Sequence, residues 1–174
     1  MQACHSKLLE TIKTGKCYFE EIYGLKVYDW LKCKPESMET FVYGMQEYND
    51  ALGSKLVELY DFSHFNRIID VGGGQGWLMS KILKIAPNAK GTVHDQAIVV
   101  EKAYENEFVS DVRDQISFVG GNFMENVPSG GDCYILQNII VDYDDENAMK
   151  LLRNIAENMD ENTKLVIIKQ TLDT

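Results

Sequence analysis

In the segment Asp70-Val71-Gly72-Gly73-Gly74-Gln75-Gly76 a carboxylate stands just ahead of glycines at 72, 74 and 76. The apolar run Arg67-Ile68-Ile69 precedes it, and the helical pattern Trp77-Leu78-Met79-Ser80-Lys81-Ile82-Leu83 follows. Strand, glycine turn and helix in that order make a cradle. The glycines let the backbone turn sharply and approach a ligand closely. The helix that follows offers free N–H groups and the positive end of its dipole. A nucleotide-like cofactor suits both.

The spacing narrows the cofactor. The dinucleotide fingerprint G-x-G-x-x-G needs its last glycine at position 77, which is Trp. The pattern is D-x-G-x-G-x-G, and a pyrophosphate gains nothing from its leading carboxylate. An ammonium group does, directly or through water. S-adenosylmethionine (SAM), an amino acid joined to a nucleoside, carries one. Further along, Gly91-Thr92-Val93-His94-Asp95 reads as the next strand and ends in a carboxylate, 19 residues after Gly76. An acidic side chain at that place binds ribose hydroxyls in sheets of this kind.

The elements that must hold these groups are legible too. The first 60 or so residues read as helical. Leu8, Leu9 and Ile12 recur at helix spacing with Gly15 as a stop, and Tyr18–Tyr23 and Val27–Leu31 are short helices broken by Gly24 and Pro35. A long helix is expected over Glu36–Tyr60, with Phe41, Met45, Tyr48, Leu52, Leu56 and Leu59 on one face. The aromatic and Met side chains Tyr18, Tyr23, Tyr28, Trp30, Phe41, Tyr43 and Met45 suit ordinary helix packing or the lining of an acceptor pocket. From Asn66 the pattern alternates, with strands expected at 66–71, 90–95, 115–119, 132–138 and 163–171. Helices are expected near 74–85, 97–105 and 143–158. That alternation predicts a doubly wound α/β sheet, with its ligand over the carboxyl ends of the strands.

Composition bounds the function. The chain has 174 residues, 45% of them hydrophobic, enough for a sizeable core. A formal net charge of −10 disfavours nucleic acid and anionic membrane surfaces as partners. There is no apolar run of membrane-spanning length and no signal-peptide core. Cys4, Cys17, Cys33 and Cys133 form no C-x-x-C pair, so a reduced, cytoplasmic protein without a zinc site is expected. The acidic run Asp142, Asp144, Asp145, Glu146 reads as a helix start and not as a metal site.

Several segments together resemble a known family. Asp70–Gly76, Gly91–Val100, Phe118-Val119-Gly120-Gly121-Asn122-Phe123 and Leu136–Glu146 look like the SAM-dependent O-methyltransferases of the plant caffeic-acid and animal hydroxyindole type. Thr14-Gly15, Phe41, Met45 and Tyr60-Asp61-Phe62 are similar as well. The resemblance implies a Rossmann-like class I methyltransferase sheet preceded by N-terminal helices. It implies a helical segment, 1–62, supplying acceptor-pocket and linker helices, and a SAM-binding α/β domain, 63–174. Asp70, Gly72, Gly73, Gly74 and Gly76 would wrap the methionine part of SAM. Asp95, with Gln96 beside it, would hold the ribose. Asn122 and Phe123 would meet adenine, and Gln137 stands where relatives place a Lys near the methionine carboxylate. The product would be S-adenosyl-L-homocysteine (SAH), the acceptor a small hydroxylated or aromatic molecule, and no metal is called for.

The chemistry departs from that family. Where relatives carry His-Asp-Trp, whose His is the general base, this chain has Val141-Asp142-Tyr143. Where they carry a Glu that orients the His, Lys169 aligns. A general base contributes about 10²–10⁴-fold to rate. Asp142 and His5 are the weak substitutes; Asp142 could equally cap the helix that starts near Tyr143. His94 and His64 are expected to be structural. Relatives also have a dimerisation domain ahead of this region and further strands beyond the fifth. The chain is therefore expected to be either a fragment or a short form that covers the fifth-strand edge, Leu165-Val166-Ile167-Ile168, by homo- or hetero-association. Two functions fit: an O-methyltransferase working by proximity, or a catalytically inactive SAM-binding subunit with a regulatory or structural role.

Overall fold

A computed structural model describes residues 2–169. Two compact units divide at Gly44/Met45, inside one long helix. The boundary expected at 62/63 follows the change from helix to strand. The observed division comes earlier, because Leu56, Val57 and Tyr60 pack against the core of the sheet unit.

The N-terminal unit holds α1 (Gln2–His5), α2 (Leu8–Thr14), α3 (Phe19–Tyr23), α4 (Val27–Lys32) and the first turns of α5 (Pro35–Leu59). Gly15 and Gly24 end α2 and α3 in the left-handed conformation, with φ of 70° and 75°, which only glycine adopts cheaply. Phe19, Tyr23 and Trp30 form an aromatic cluster with ring centroids 4.6–5.8 Å apart, and Tyr28 meets Phe41 edge to face. These aromatics pack on one another. Tyr43, by contrast, is exposed.

In the second unit Leu56 and Val57 turn inward, while Leu59 is 82% exposed. The expected placement of Leu59 on the buried face is thus corrected. Val57 packs with Leu56 against the core of the sheet unit instead. Beyond α5, β1 (Arg67–Val71), β2 (Lys90–Asp95), β3 (Ile116–Gly120), β4 (Cys133–Gln137) and β5 (Lys164–Ile168) pair in parallel, in the order β3-β2-β1-β4-β5. β5 lies at one edge and pairs only with β4 among the described residues. The strand expected over 163–171 ends at Ile168; positions 170 and 171 lie outside the described residues.

The sheet is covered on both faces. One face buries Ile68, Val93 and Ile135 against Leu78, Met79, Ile82 and Leu83 of α6 (Trp77–Ile85). The other buries Ile69, Val71, Tyr134 and Leu136 against Leu151 and Ile155 of α8 (Asp145–Ala156). Side chains alternate between the faces, as parallel strands buried on both sides require. Two helix expectations are corrected. The helix expected from 74 begins at Trp77, because Gly74 and Gly76 adopt left-handed φ values of 61° and 85°. The helix expected over 97–105 is one short turn, α7 (Ala97–Val100), followed by 3₁₀ turns at Ala103–Glu105 and Glu107–Val112.

Gly91 shows how tightly α6 lies on the sheet. A Cβ at this strand position would collide with the Met79 thioether and press on Leu83. We expect Gly91→Ala to destabilise the protein by about 1–3 kcal/mol through overpacking. In a Met79→Ala background the same substitution should cost less. Urea midpoints of the four proteins in the cycle check this.

Candidate functional site

The glycine turn is built by its own conformation and pinned from below. Gly72 (φ 76°), Gly74 and Gly76 are left-handed, and a Cβ at Gly72 would strike Ile139. The Gly72 N–H donates to the His94 carbonyl (2.7 Å) and the Gly74 N–H to Asp95 Oδ2 (2.8 Å). Asp95 Oδ1 accepts from the Gln96 N–H (2.7 Å), so the carboxylate at the end of β2 ties the turn after β1 to the start of α7. Gln75 extends the tie: its carbonyl accepts from Asn106 Nδ2 (3.0 Å) and its amide reaches the Val99 carbonyl (3.5 Å).

Asp70 lies beneath the turn and is 1% exposed. A Cβ added at Gly73 would sit 2.5 Å from Asp70 Oδ2, so the turn backbone rests directly on the carboxyl. The sequence pattern suggests contact with a ligand ammonium, direct or through water. In the structure the carboxyl is roofed by the turn and lies in apolar surroundings. Burial, reinforced by the Asp95 charge, pushes its pKa up to about 7. Burial also raises Asp95, against the pull of its two backbone N–H bonds and His94.

Three buried side-chain atoms lack a hydrogen-bond partner among the described residues: Asp70 Oδ1, His94 Nε2 and Gln96 Oε1. All are at the carboxyl ends of β1 and β2; His94 Nε2 and Gln96 Oε1 want a donor, and Asp70 Oδ1 does once its carboxyl is ionised. His94 shows why. Its Nδ1 faces the Val119 carbonyl at 3.1 Å, which can only accept, so in the neutral ring Nε2 carries the lone pair. A buried acceptor left unpaired costs about 1–3 kcal/mol. SAM fits this donor-poor cradle: its ammonium, ribose hydroxyls and adenine amine are all donors, and its net charge suits two carboxylates.

The remaining expected residues are spread around the same strand ends. Asn122 is exposed, and its side chain is engaged locally. Its Oδ1 accepts from the Met124 N–H (3.0 Å) and its Nδ2 donates to Glu125 (2.8 Å), so it caps its own turn instead of presenting a free amide to adenine. Phe123 meets Tyr143 edge to face with centroids 6.2 Å apart. Tyr143 lies outside the expected set of site residues, and the aromatic third position of the Val-Asp-Tyr triplet is the sequence signal for it. Burial, with the charges of Asp142 and Asp95, raises its phenol pKa, so Tyr143 belongs to the electrostatic surroundings of Asp95. Gln137 ends β4 and is half-buried. Next to it Asn138 takes φ 58°, a strained value that Asn tolerates better than most residues, and Lys169 Nζ donates to its Oδ1 (3.4 Å).

Val141 occupies the middle of a 3₁₀ turn, Ile140–Asp142, and is 51% exposed. It has no atom that accepts a proton. Asp142 is exposed and does not cap α8. That expectation is corrected: Asp144 does, its Oδ1 accepting from the Asn147 N–H (2.9 Å), because the turn at Ile140–Asp142 delays the helix start. His5 ends α1 in the N-terminal unit and is exposed. His64 stacks near Phe65, 4.0 Å between ring centroids. Lys169 stands where the resemblance calls for a Glu.

Comparison with known proteins agrees with this architecture. A family model described as an O-methyltransferase domain matches residues 5–174. Phenazine O-methyltransferase PhzM of Lysobacter antibioticus is 34% identical over 165 residues, covering 95% of this chain and 48% of the relative. The structure of human N-acetylserotonin methyltransferase in complex with SAM superposes with a TM-score of 0.86 at 25% identity, covering 98% of this chain and 49% of that one. The O-methyltransferase NcsB1 from neocarzinostatin biosynthesis, solved with SAH and 1,4-dihydroxy-2-naphthoic acid, gives 0.87 at 25% identity, over 95% of this chain and 51% of that one. The chain spans about half the length of the curated relatives it matches.

Asp70 links this site to stability. Unfolded, its carboxyl ionises near 3.8; folded, it holds its proton to about 7. The stabilisation from that proton is complete below about pH 4 and lost as pH rises through about 7. Asp70→Asn stays neutral throughout. We expect its stability relative to the wild type to rise between pH 5 and pH 8 by on the order of 2–3 kcal/mol, read from urea unfolding of the unliganded protein at both pH values.

Proposed function

The chain belongs to the O-methyltransferase domain family, and from that premise we propose that it binds SAM and transfers its methyl group to an oxygen of a small hydroxylated or aromatic acceptor. The observation that carries the reading is the set of three buried, unpartnered polar atoms at the ends of β1 and β2, by a glycine turn that two carboxyls support. In this reading Gly72 to Gly76 bring backbone against the methionine part. Asp95 and Gln96 take the ribose. Phe123, with Tyr143 against it, offers an aromatic surface to adenine, and Asn122 serves by shaping the turn at 122–125. Gln137 faces the methionine carboxylate with an amide and brings no charge, a weaker partner than a Lys. Bound SAM supplies a methyl group on a sulfonium, already a strong electrophile.

The chain's own contribution to the transfer is then positional. Neither Val141 nor Lys169 can remove a proton from an acceptor hydroxyl. An acceptor that is ionised near neutral pH needs no such help. For it, orientation supplies the acceleration, and well-aligned groups can be worth several kcal/mol. The same two residues favour a second reading, a SAM-binding subunit without turnover, because base and orienter are replaced together while the cradle is kept.

Methyl incorporation from labelled SAM into a panel of phenols, thiols and carboxylates separates these. For the enzyme we expect slow transfer confined to the most acidic acceptors, abolished in Asp70→Ala. Val141→His should raise the rate on weakly acidic phenols by about 10²-fold or more. Binding of SAM with no incorporation in either the wild type or Val141→His would favour the second reading.

A further inference from the structure

Two carboxyls hold consecutive residues of the glycine turn from below. Asp70 lies against Gly73, and Asp95 accepts the N–H of Gly74. They come from adjacent parallel strands, with Asp70 of β1 opposite Val93 of β2, two residues before Asp95. Asp95 accepts hydrogen bonds from two backbone N–H groups, which favour its ionised form. Asp70 has an oxygen that is buried and without a partner. Two like charges this close to one low-dielectric turn cannot both be ionised cheaply. The proton therefore resides on Asp70, the carboxyl with the fewer donors. Resting on the SAM-binding reading above, we propose that Asp70 is a positioning residue that holds a proton in the unliganded protein and releases it to solvent when a cationic cofactor loads over the turn.

The other titratable groups around the pair do not supply that proton. From β4, Cys133 senses Asp70, and burial pushes its thiol up to about 12. Tyr143, on the segment after β4, senses Asp95 and is also shifted upward. Both stay neutral from pH 5.5 to 7.5 before and after loading. His94, next to Asp95 on β2, is the remaining neighbour whose charge bears on the pair, and its variant serves as the control. A ligand ammonium brings a positive charge to the two carboxyls and favours the ionised form of Asp70. The proton balance is simple: Asp70-COOH becomes Asp70-COO⁻, and the proton goes to buffer. The expected consequence is a cofactor affinity that falls as pH drops, by about tenfold per pH unit once Asp70 is fully protonated.

The experiment is calorimetric titration with SAH, the demethylated product, which keeps the ammonium. Titrations at pH 6.5 in buffers of different ionisation enthalpy give the number of protons released. We expect more than half a proton in the wild type, none in Asp70→Asn, and an unchanged release in His94→Gln. Independently of any variant, the wild-type Kd should rise about tenfold from pH 6 to pH 5. SAH binding with no proton release and a flat Kd would overturn the proposal while leaving the cofactor reading intact. Release that persists in Asp70→Asn, or is lost in His94→Gln, would overturn it too. Absence of SAH binding to the folded protein would overturn both.

Discussion

The constraint on which the site depends is the burial of a carboxyl under a backbone turn. The turn after β1 can take its shape because glycines at 72, 74 and 76 adopt left-handed angles that other residues reach only with strain. It keeps that shape because Asp70 fills the space below Gly73 and Asp95 accepts the next N–H. Replace the turn by an ordinary strand-to-helix loop and β1, β2 and α6 could still pack; the cradle could not exist. The cost is a buried carboxyl beside a second carboxyl, its pKa pushed up to about 7. Proteins tolerate such a group where function uses it.

The rest of the fold serves this constraint. A sheet buried on both faces brings the carboxyl ends of β2, β1 and β4 into one row, where a doubly wound sheet binds its ligand. The close approach of α6 at Gly91 anchors the helix that leaves the turn. On the other face α8, capped by Asp144, fixes the segment carrying Val141 and Tyr143. That segment joins nucleotide recognition to the place where acceptor chemistry would occur. Under the proposed function, Val141 and Lys169 stand where the family resemblance implies a base and its orienter, and Lys169 donates to Asn138.

Much of this could be read from the chain. Glycine spacing, a carboxylate at the end of the second strand and alternating apolar runs have local causes, so the strands and the cradle were legible. What depended on packing was not. Val57 packs on the core and Leu59 is exposed, a choice made by the sheet unit's surface and not by helix spacing alone. The stretch 97–112 winds into short turns whose apolar side chains pack on different neighbours, α7 on β3 and the turn Glu107–Val112 on α6. Asn122 is an amide in the right place for adenine by sequence, yet its own turn claims both ends of it. That Asp70 lies under the turn, against Gly73, is a matter of packing that a sequence does not show. The pairing of Tyr143 with Phe123 across 20 positions had only an aromatic in a familiar triplet to announce it.

The central claim is that this cradle binds SAM through Asp95 and the carboxyl-supported turn. Equilibrium dialysis of the folded protein against SAM at neutral pH tests it most directly, with Asp95→Ala in parallel. The account predicts saturable one-to-one binding in the micromolar range (on the order of −8 kcal/mol) that is lost in Asp95→Ala while circular dichroism stays unchanged. A folded wild-type chain that retains no SAM, or an Asp95→Ala variant that binds it as well as the wild type, would contradict it.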